Sequence, residues 1–133
     1  MGTPRVRAIL DTSALIAPWS PPEDDEYAIS VVSLAELHFG VLMATGTPAL
    51  ASRLQRLSEI EHAFDPIPVD EHVARAYAEC AQAVLKVGRS PRPRVFDLVI
   101  SATAKVAGAK LYTFNPEDFR GLGELVEVVA LST

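Results

Sequence analysis

Three carboxylates are the residues of this chain best suited to do chemistry, each set singly in an otherwise apolar segment. They are Asp11 in Leu10-Asp11-Thr12-Ser13, Glu36 in Leu34-Ala35-Glu36-Leu37 and Asp97 in Phe96-Asp97-Leu98-Val99. An unpaired charge is costly to bury in such surroundings. Acids that converge repel one another unless a cation lies between them. A hard divalent cation, which prefers oxygen ligands, suits that arrangement. The chemistry this points to is hydrolysis of a phosphodiester with the help of Mg²⁺ or Mn²⁺.

The elements that must position these acids alternate between strand and helix. Val6 to Leu10 reads as a buried strand, and Asp11 to Ala17 as a helix start stopped by Pro18. Trp19 to Glu26, with its prolines and the acid run Glu23 to Glu26, reads as a solvated loop. Tyr27 to Val32 is expected to be extended, and Ser33 to open a helix towards Gly46. Thr47-Pro48 is a helix opening, a hydroxyl cap followed by proline, with Leu50, Leu54 and Leu57 as its apolar side. Phe64 to Val69, broken by two prolines, fits an edge strand. Asp70 caps the next helix, which Gly88 ends. Gly88 to Arg94 is a basic loop, Val95 to Ala107 a helix with Gly108 as its C-cap, Leu111 to Phe114 a strand, and Leu125 to Leu131 the last strand. This order implies an α/β fold with a parallel sheet covered on both faces.

Each acid has a plain structural alternative. Ser33-x-x-Glu36 matches a capping box, in which the glutamate reaches back to the amide of the cap. Asp11 and Asp97 both stand before helical runs, where an N-cap carboxylate is ordinary. Placement tips the balance. Ligands of a parallel α/β sheet bind outside the carboxyl ends of its strands, and Asp11 and Asn115 each follow a strand there. Asp97 and Glu36, in the opening turns of helices, are able to point over the same edge.

The bulk properties constrain the rest. A chain of 133 residues, 49% hydrophobic, suits one compact domain with a real core. No apolar run approaches the length of a membrane span, and no secretory leader is visible at the N-terminus, so a cytoplasmic location is expected. Cys80 is the only cysteine, which leaves neither an internal disulfide nor a thiolate metal site. The net charge of −5 argues against a nonspecific nucleic-acid binder. It does not argue against a nuclease whose acids an ion partly neutralises. His38, His62 and His72 share no metal-ligand spacing and read as surface residues.

At this point the residues resemble a family. The chain is similar, from Val6 to Leu131, to the PIN-domain ribonucleases, in particular to the VapC-type toxins of bacterial toxin–antitoxin pairs. The resemblance rests on Leu10-Asp11-Thr12-Ser13-Ala14-Leu15-Ile16, on Ser33-Leu34-Ala35-Glu36-Leu37 with Gly40 following, and on Asp97-Leu98-Val99-Ile100-Ser101-Ala102-Thr103-Ala104. The fourth element is Leu111-Tyr112-Thr113-Phe114-Asn115-Pro116-Glu117-Asp118-Phe119. It implies a single PIN domain over 1–133, a three-layer α/β/α fold with a central parallel sheet and a helical hairpin insertion. It also implies a Mg²⁺-dependent ribonuclease, Mn²⁺ being the substitute, acting on tRNA- or rRNA-type structured RNA.

By the same resemblance Asp11, Glu36 and Asp97 are the principal acids. Asp11 and Asp97 are expected to hold the main metal, with Glu36 as a further ligand or a water-orienting base. Ser13 and Thr113 are hydroxyls near the site. The family's fourth acidic position falls at Asn115, a neutral oxygen ligand here, and Asp118 supplies charge from the next turn. Phe114 replaces a basic residue often found before that position. Arg89, Arg92 and Arg94 are candidates to steer an RNA backbone. The implied partners are a cognate VapB-like antitoxin, received in an apolar groove, and a second copy of the chain. Two other readings remain: a catalytically weak PIN fold kept as a protein-binding scaffold, and a Rossmann-like regulatory module with Asp11 as phosphoacceptor.

Overall fold

Four short strands line up in parallel in the order β2–β1–β3–β4, with β1 at Ala8–Leu10, β2 at Tyr27–Ala28, β3 at Lys110–Thr113 and β4 at Val128–Ala130. The computed structural model describes residue 6, residues 8–22 and residues 25–132. Arg7, within the expected first strand, and the acids Glu23 and Asp24 of the loop lie outside the described residues.

Side chains alternate across a strand, and here the alternation divides the core in two. Ile9, Ala28 and Leu111 face one side of the sheet, where α4 (Glu71–Lys86) and α5 (Val95–Ala107) cover them with Val73, Cys80, Val84, Leu98 and Ile100. Leu10, Ile29 and Tyr112 face the other. There Ala14 and Leu15 of α1 (Thr12–Ile16), Leu37 of α2 (Val31–Leu42), and Leu57 and Ile60 of α3 (Thr47–Ala63) close over them. The result is the expected three-layer α/β/α arrangement. Each fully buried leucine or isoleucine contributes roughly 1.5–3 kcal/mol through burial, and Ile9, Leu98, Ile100 and Leu111 are all fully buried. Cys80 is a small core residue, as expected.

Helix α2 packs on α3 as a hairpin, joined through residues 43–46 with Gly46 at a φ of 85°. Asp70 accepts a hydrogen bond from the Val73 amide (2.9 Å) and caps α4, and Gly108 ends α5 in the left-handed region. No helix among the described residues is long and apolar enough to cross a membrane.

Several boundaries differ from the sequence expectation. Ser30, not Ser33, caps α2, its hydroxyl accepting from the Val32 amide (3.2 Å). The extended run therefore stops at Ala28, and Ser33 lies fully buried inside the helix. Glu36 then falls in the second turn, so the capping box Ser33-x-x-Glu36 is not formed. Gly46 rather than Thr47 precedes α3, which shifts Pro48 to the second helical position. The proposed edge strand at Phe64 to Val69 reduces to one bridge between Ser30 and Ile67, because Pro66 and Pro68 have no amide to donate to a ladder. The final strand is shorter than expected, at Val128–Ala130. Leu57 is buried, whereas Leu50 and Leu54 stay exposed, so the apolar side of α3 is only partly used by the core.

Candidate active site

The chain leaves β1 towards β2 on one side and returns through β3 on the other, so strand order reverses between β1 and β3. That reversal opens a crevice at the carboxyl ends of the two strands. Pairing of Leu10 with Tyr112 sets Asp11 and Thr113, the next residues of each strand, side by side. The Asp11 amide donates to the Tyr112 carbonyl (3.1 Å), which fixes the register to the last residue.

Asp11 is only 4% exposed. The cost of burying its charge is offset by three donors. The Ser13 hydroxyl (2.6 Å) and the Ala14 amide (3.0 Å) donate to Oδ1, and the Thr113 hydroxyl donates to Oδ2 (2.5 Å). Asp11 is thus the N-cap of α1 as well as the centre of this cluster. The hydroxyls are held in turn. The Phe114 amide donates to Ser13 Oγ (3.0 Å) and the Asn115 amide to Thr113 Oγ1 (2.9 Å). Phe114 itself packs edge-on against Trp19, with ring centroids 5.7 Å apart, so this side chain belongs to the core face rather than to a phosphate grip.

Glu36 reaches the cluster through a residue that sequence reasoning missed. The Thr12 hydroxyl donates to Glu36 Oε1 (2.6 Å) and lies 3.0 Å from Ser33 Oγ. The only signal was its place directly after Asp11. Asp97 stands at the third position of α5 and is not its N-cap. Its carboxyl is pushed up from 3.8 to about 6, first by burial and then by the negative fields of Asp118, Glu36 and Asp11, against a smaller pull from Arg94. The charges of Asp11, Glu36 and Asp118 thus all reach Asp97, although the four acids come from four separate stretches of the chain.

The three arginines are treated differently by the fold. Arg89 Nη1 donates to the Glu117 carbonyl (2.8 Å) and approaches that of Arg120 (3.5 Å), tying the turn Pro116–Phe119 that carries Asp118. Arg94, whose Nη1 donates to the Ser90 carbonyl (3.1 Å), is the cation whose field reaches Asp97. Arg92 is exposed in the helical turn Arg92–Arg94 and makes no hydrogen bond or ion pair among the described residues. His38, His62 and His72 lie on helix surfaces, far from forming a ligand set.

A parallel α/β/α sandwich with acids gathered at its switch point matches the sequence model of the PIN domain over residues 8–125. The chain belongs to the PIN-domain family. Among its relatives it is 36% identical over 128 residues to Ribonuclease VapC5 of Mycobacterium tuberculosis, covering 92% of each chain. It is 33% identical over 131 residues to Ribonuclease VapC4 of the same organism, covering 94% of this chain and 97% of that one. Its fold superposes with a TM-score of 0.79 on the crystal structure of VapBC-5, a member of the VapBC family of toxin–antitoxin systems from M. tuberculosis. That match has 32% identity and covers 96% of this chain and 99% of the other.

PIN-domain nucleases use a divalent metal, and the donor chemistry here fits one. The site offers carboxylate, amide and hydroxyl oxygens and no histidine or cysteine, which favours Mg²⁺ or Mn²⁺ over zinc. Burial and the neighbouring acids raise the Asp97 carboxyl, and Arg94 offsets this only in part. Among the described residues, no three acidic, histidine or cysteine side chains already lie close enough to enclose an ion.

Proposed function

We propose that this chain is a metal-dependent endoribonuclease that hydrolyses phosphodiester bonds of tRNA- or rRNA-type structured RNA and acts as the toxin of a toxin–antitoxin pair. The observation that carries the reading is the coupling of Asp97 to Asp11, Glu36 and Asp118 at the strand-order reversal. Asp11 and Asp97 would hold Mg²⁺, or Mn²⁺ in its place. Glu36 serves as a further ligand or as the base that orients water, Asn115 supplies a neutral oxygen, and Asp118 adds charge. When bound, such an ion supplies an activated water and neutralises charge developing on the phosphate.

The chain's own residues prepare that chemistry. Ser13, Thr113 and the Ala14 amide fix both oxygens of Asp11, so it does not swing away when the neighbouring acids repel it. The same three bonds leave Asp11 a poor phosphoacceptor, which disfavours the regulatory-module reading. Arg92 and Arg94 lie at the start of the helix that carries Asp97, where a phosphate backbone approaching the acids needs positive charge. Single-stranded loops of folded RNA expose a backbone that such an open rim accepts. Arg89 is committed to carbonyls and is proposed as an RNA contact only through its outward face.

A cognate VapB-like antitoxin is the proposed protein partner. The fold likeness to VapBC-5 supports it, as does a cleft between α1, α2 and α3 lined by Ile16, Leu37, Gly40, Arg53 and Arg56 that opens beside Glu36. Phe39 and Leu42 on α2, and Met43 just after it, remain exposed nearby. A homodimer of a single PIN domain over 1–133, working in the cytoplasm, completes the proposal. Asn115 keeps a catalytically weak scaffold as the alternative. A panel of structured RNAs incubated with Mg²⁺ or Mn²⁺ separates the two. Cleavage by the wild type that is lost in EDTA and in Asp11→Ala is expected. Absence of cleavage together with absence of metal binding would leave the scaffold.

A further inference from the structure

Because α1 begins directly after Asp11, the residue at its first position is carried wherever β1 delivers the acid. That residue is Thr12, half-buried between α1 and α2. Its hydroxyl has a single proton. At 2.6 Å from Glu36 Oε1 that proton goes chiefly to the carboxylate, with Oγ of the fully buried Ser33 a second, longer acceptor 3.0 Å away. Ser33 and Glu36 lie three residues apart on one face of α2, so the pair grips Thr12 from two points. Glu36 Oε2 has no hydrogen-bond partner among the described residues. We infer that Thr12 is a positioning residue for Glu36: it holds one carboxylate oxygen beside Asp11 and leaves the other directed to the metal and water.

The physical need for such a clamp is plain. Glu36 is half-buried on a helix, with a long flexible side chain, and its negative field reaches Asp97. Repulsion favours rotamers that carry it outward into solvent. A charge-assisted hydrogen bond opposes that motion. It also links the two acids rigidly, since Asp11 and Thr12 are joined by one planar peptide. The inference rests on the reading of Glu36 as part of the metal site.

The test is Mn²⁺ affinity of the full chain by titration calorimetry. Thr12→Val is expected to bind Mn²⁺ about tenfold more weakly, and Thr12→Ser, which keeps the hydroxyl, within about threefold of the wild type. Glu36→Gln is expected to lose about as much as Thr12→Val, and the double variant Thr12→Val/Glu36→Gln no more than Glu36→Gln alone. Unchanged affinity in Thr12→Val beside a weakened Glu36→Gln would overturn the inference while leaving Glu36 in the site. Unchanged affinity in Glu36→Gln would overturn both. Additive losses in the double variant would show that Thr12 does not act through Glu36. Unfolding in EDTA checks that each variant is folded, and Thr12→Ala replaces the valine variant should that one fail.

Discussion

Asp97→Asn is expected to make the metal-free protein more stable. Burial and three neighbouring acids raise the Asp97 carboxyl from 3.8 to about 6. The native state therefore holds this proton more tightly than the unfolded chain does, and ionisation opposes folding. At about 1.4 kcal/mol per tenfold change in proton affinity, the full cost approaches about 3 kcal/mol. Solvent on the open side of this half-buried group screens it to about 1–2 kcal/mol. The sign follows from linkage: stability falls as pH rises from about 4 to about 6 and is level above that. Asparagine carries no charge, so at pH 8 in EDTA it removes the cost and raises Tm by about 4–8 °C. At pH 4 the two proteins melt alike. Added Mn²⁺ should stabilise the wild type and do little for the variant, which also loses cleavage. Thermal unfolding at both pH values, with and without metal, measures all of this. An unchanged or lower Tm of Asp97→Asn at pH 8 would refute the convergence of the acids, as would a difference that persists at pH 4.

Other perturbations test the neighbouring parts. Asn115→Asp adds a fifth carboxyl to the rim, so it should lower Tm in EDTA at pH 8 yet enlarge the stabilisation given by Mn²⁺, both read by thermal unfolding. Ser30→Ala removes the cap of α2 and should cost about 1 kcal/mol in a urea titration. Arg92→Ala should weaken RNA binding and reduce its salt slope by about 1 without lowering Tm, since that side chain makes no internal bond. Arg89→Ala should lower Tm, through the lost Glu117 and Arg120 carbonyl contacts.

The parts of the fold that were legible in the sequence are those where local chemistry has one solution. Asp70 has a free amide three residues on to cap, and Gly108 can take the left-handed conformation at the end of α5, so α4 begins and α5 ends where expected. The start of α2 was misplaced because the β-branched pair Val31-Val32 after Ser30 reads as a continuation of the extended run. Only the bridge to Ile67, a contact remote in sequence, keeps residue 30 extended and makes it the cap. That same shift buries Ser33 against Thr12 and frees Glu36 from a capping role.

The acids were recognisable by type, and the hydroxyls Ser13 and Thr113 by the motifs around them. Their convergence depends on strand order, which no local pattern encodes. The arginines show the limit most clearly. Arg89, Arg92 and Arg94 look equivalent along the chain, yet the turn Pro116–Phe119 occupies Arg89 through the Glu117 carbonyl. Thr12 escaped notice because a hydroxyl beside an aspartate has no visible partner until α2 is placed over it.

Anomalous diffraction from crystals grown with Mn²⁺ bears on the central claim, that acids from separate stretches of chain form one metal site. The expected result is a peak coordinated by oxygens of both Asp11 and Asp97, with Glu36 either bound to it or one water away. A peak that excludes Asp97, or one bound only at surface acids such as Glu117 or Glu124, would contradict it.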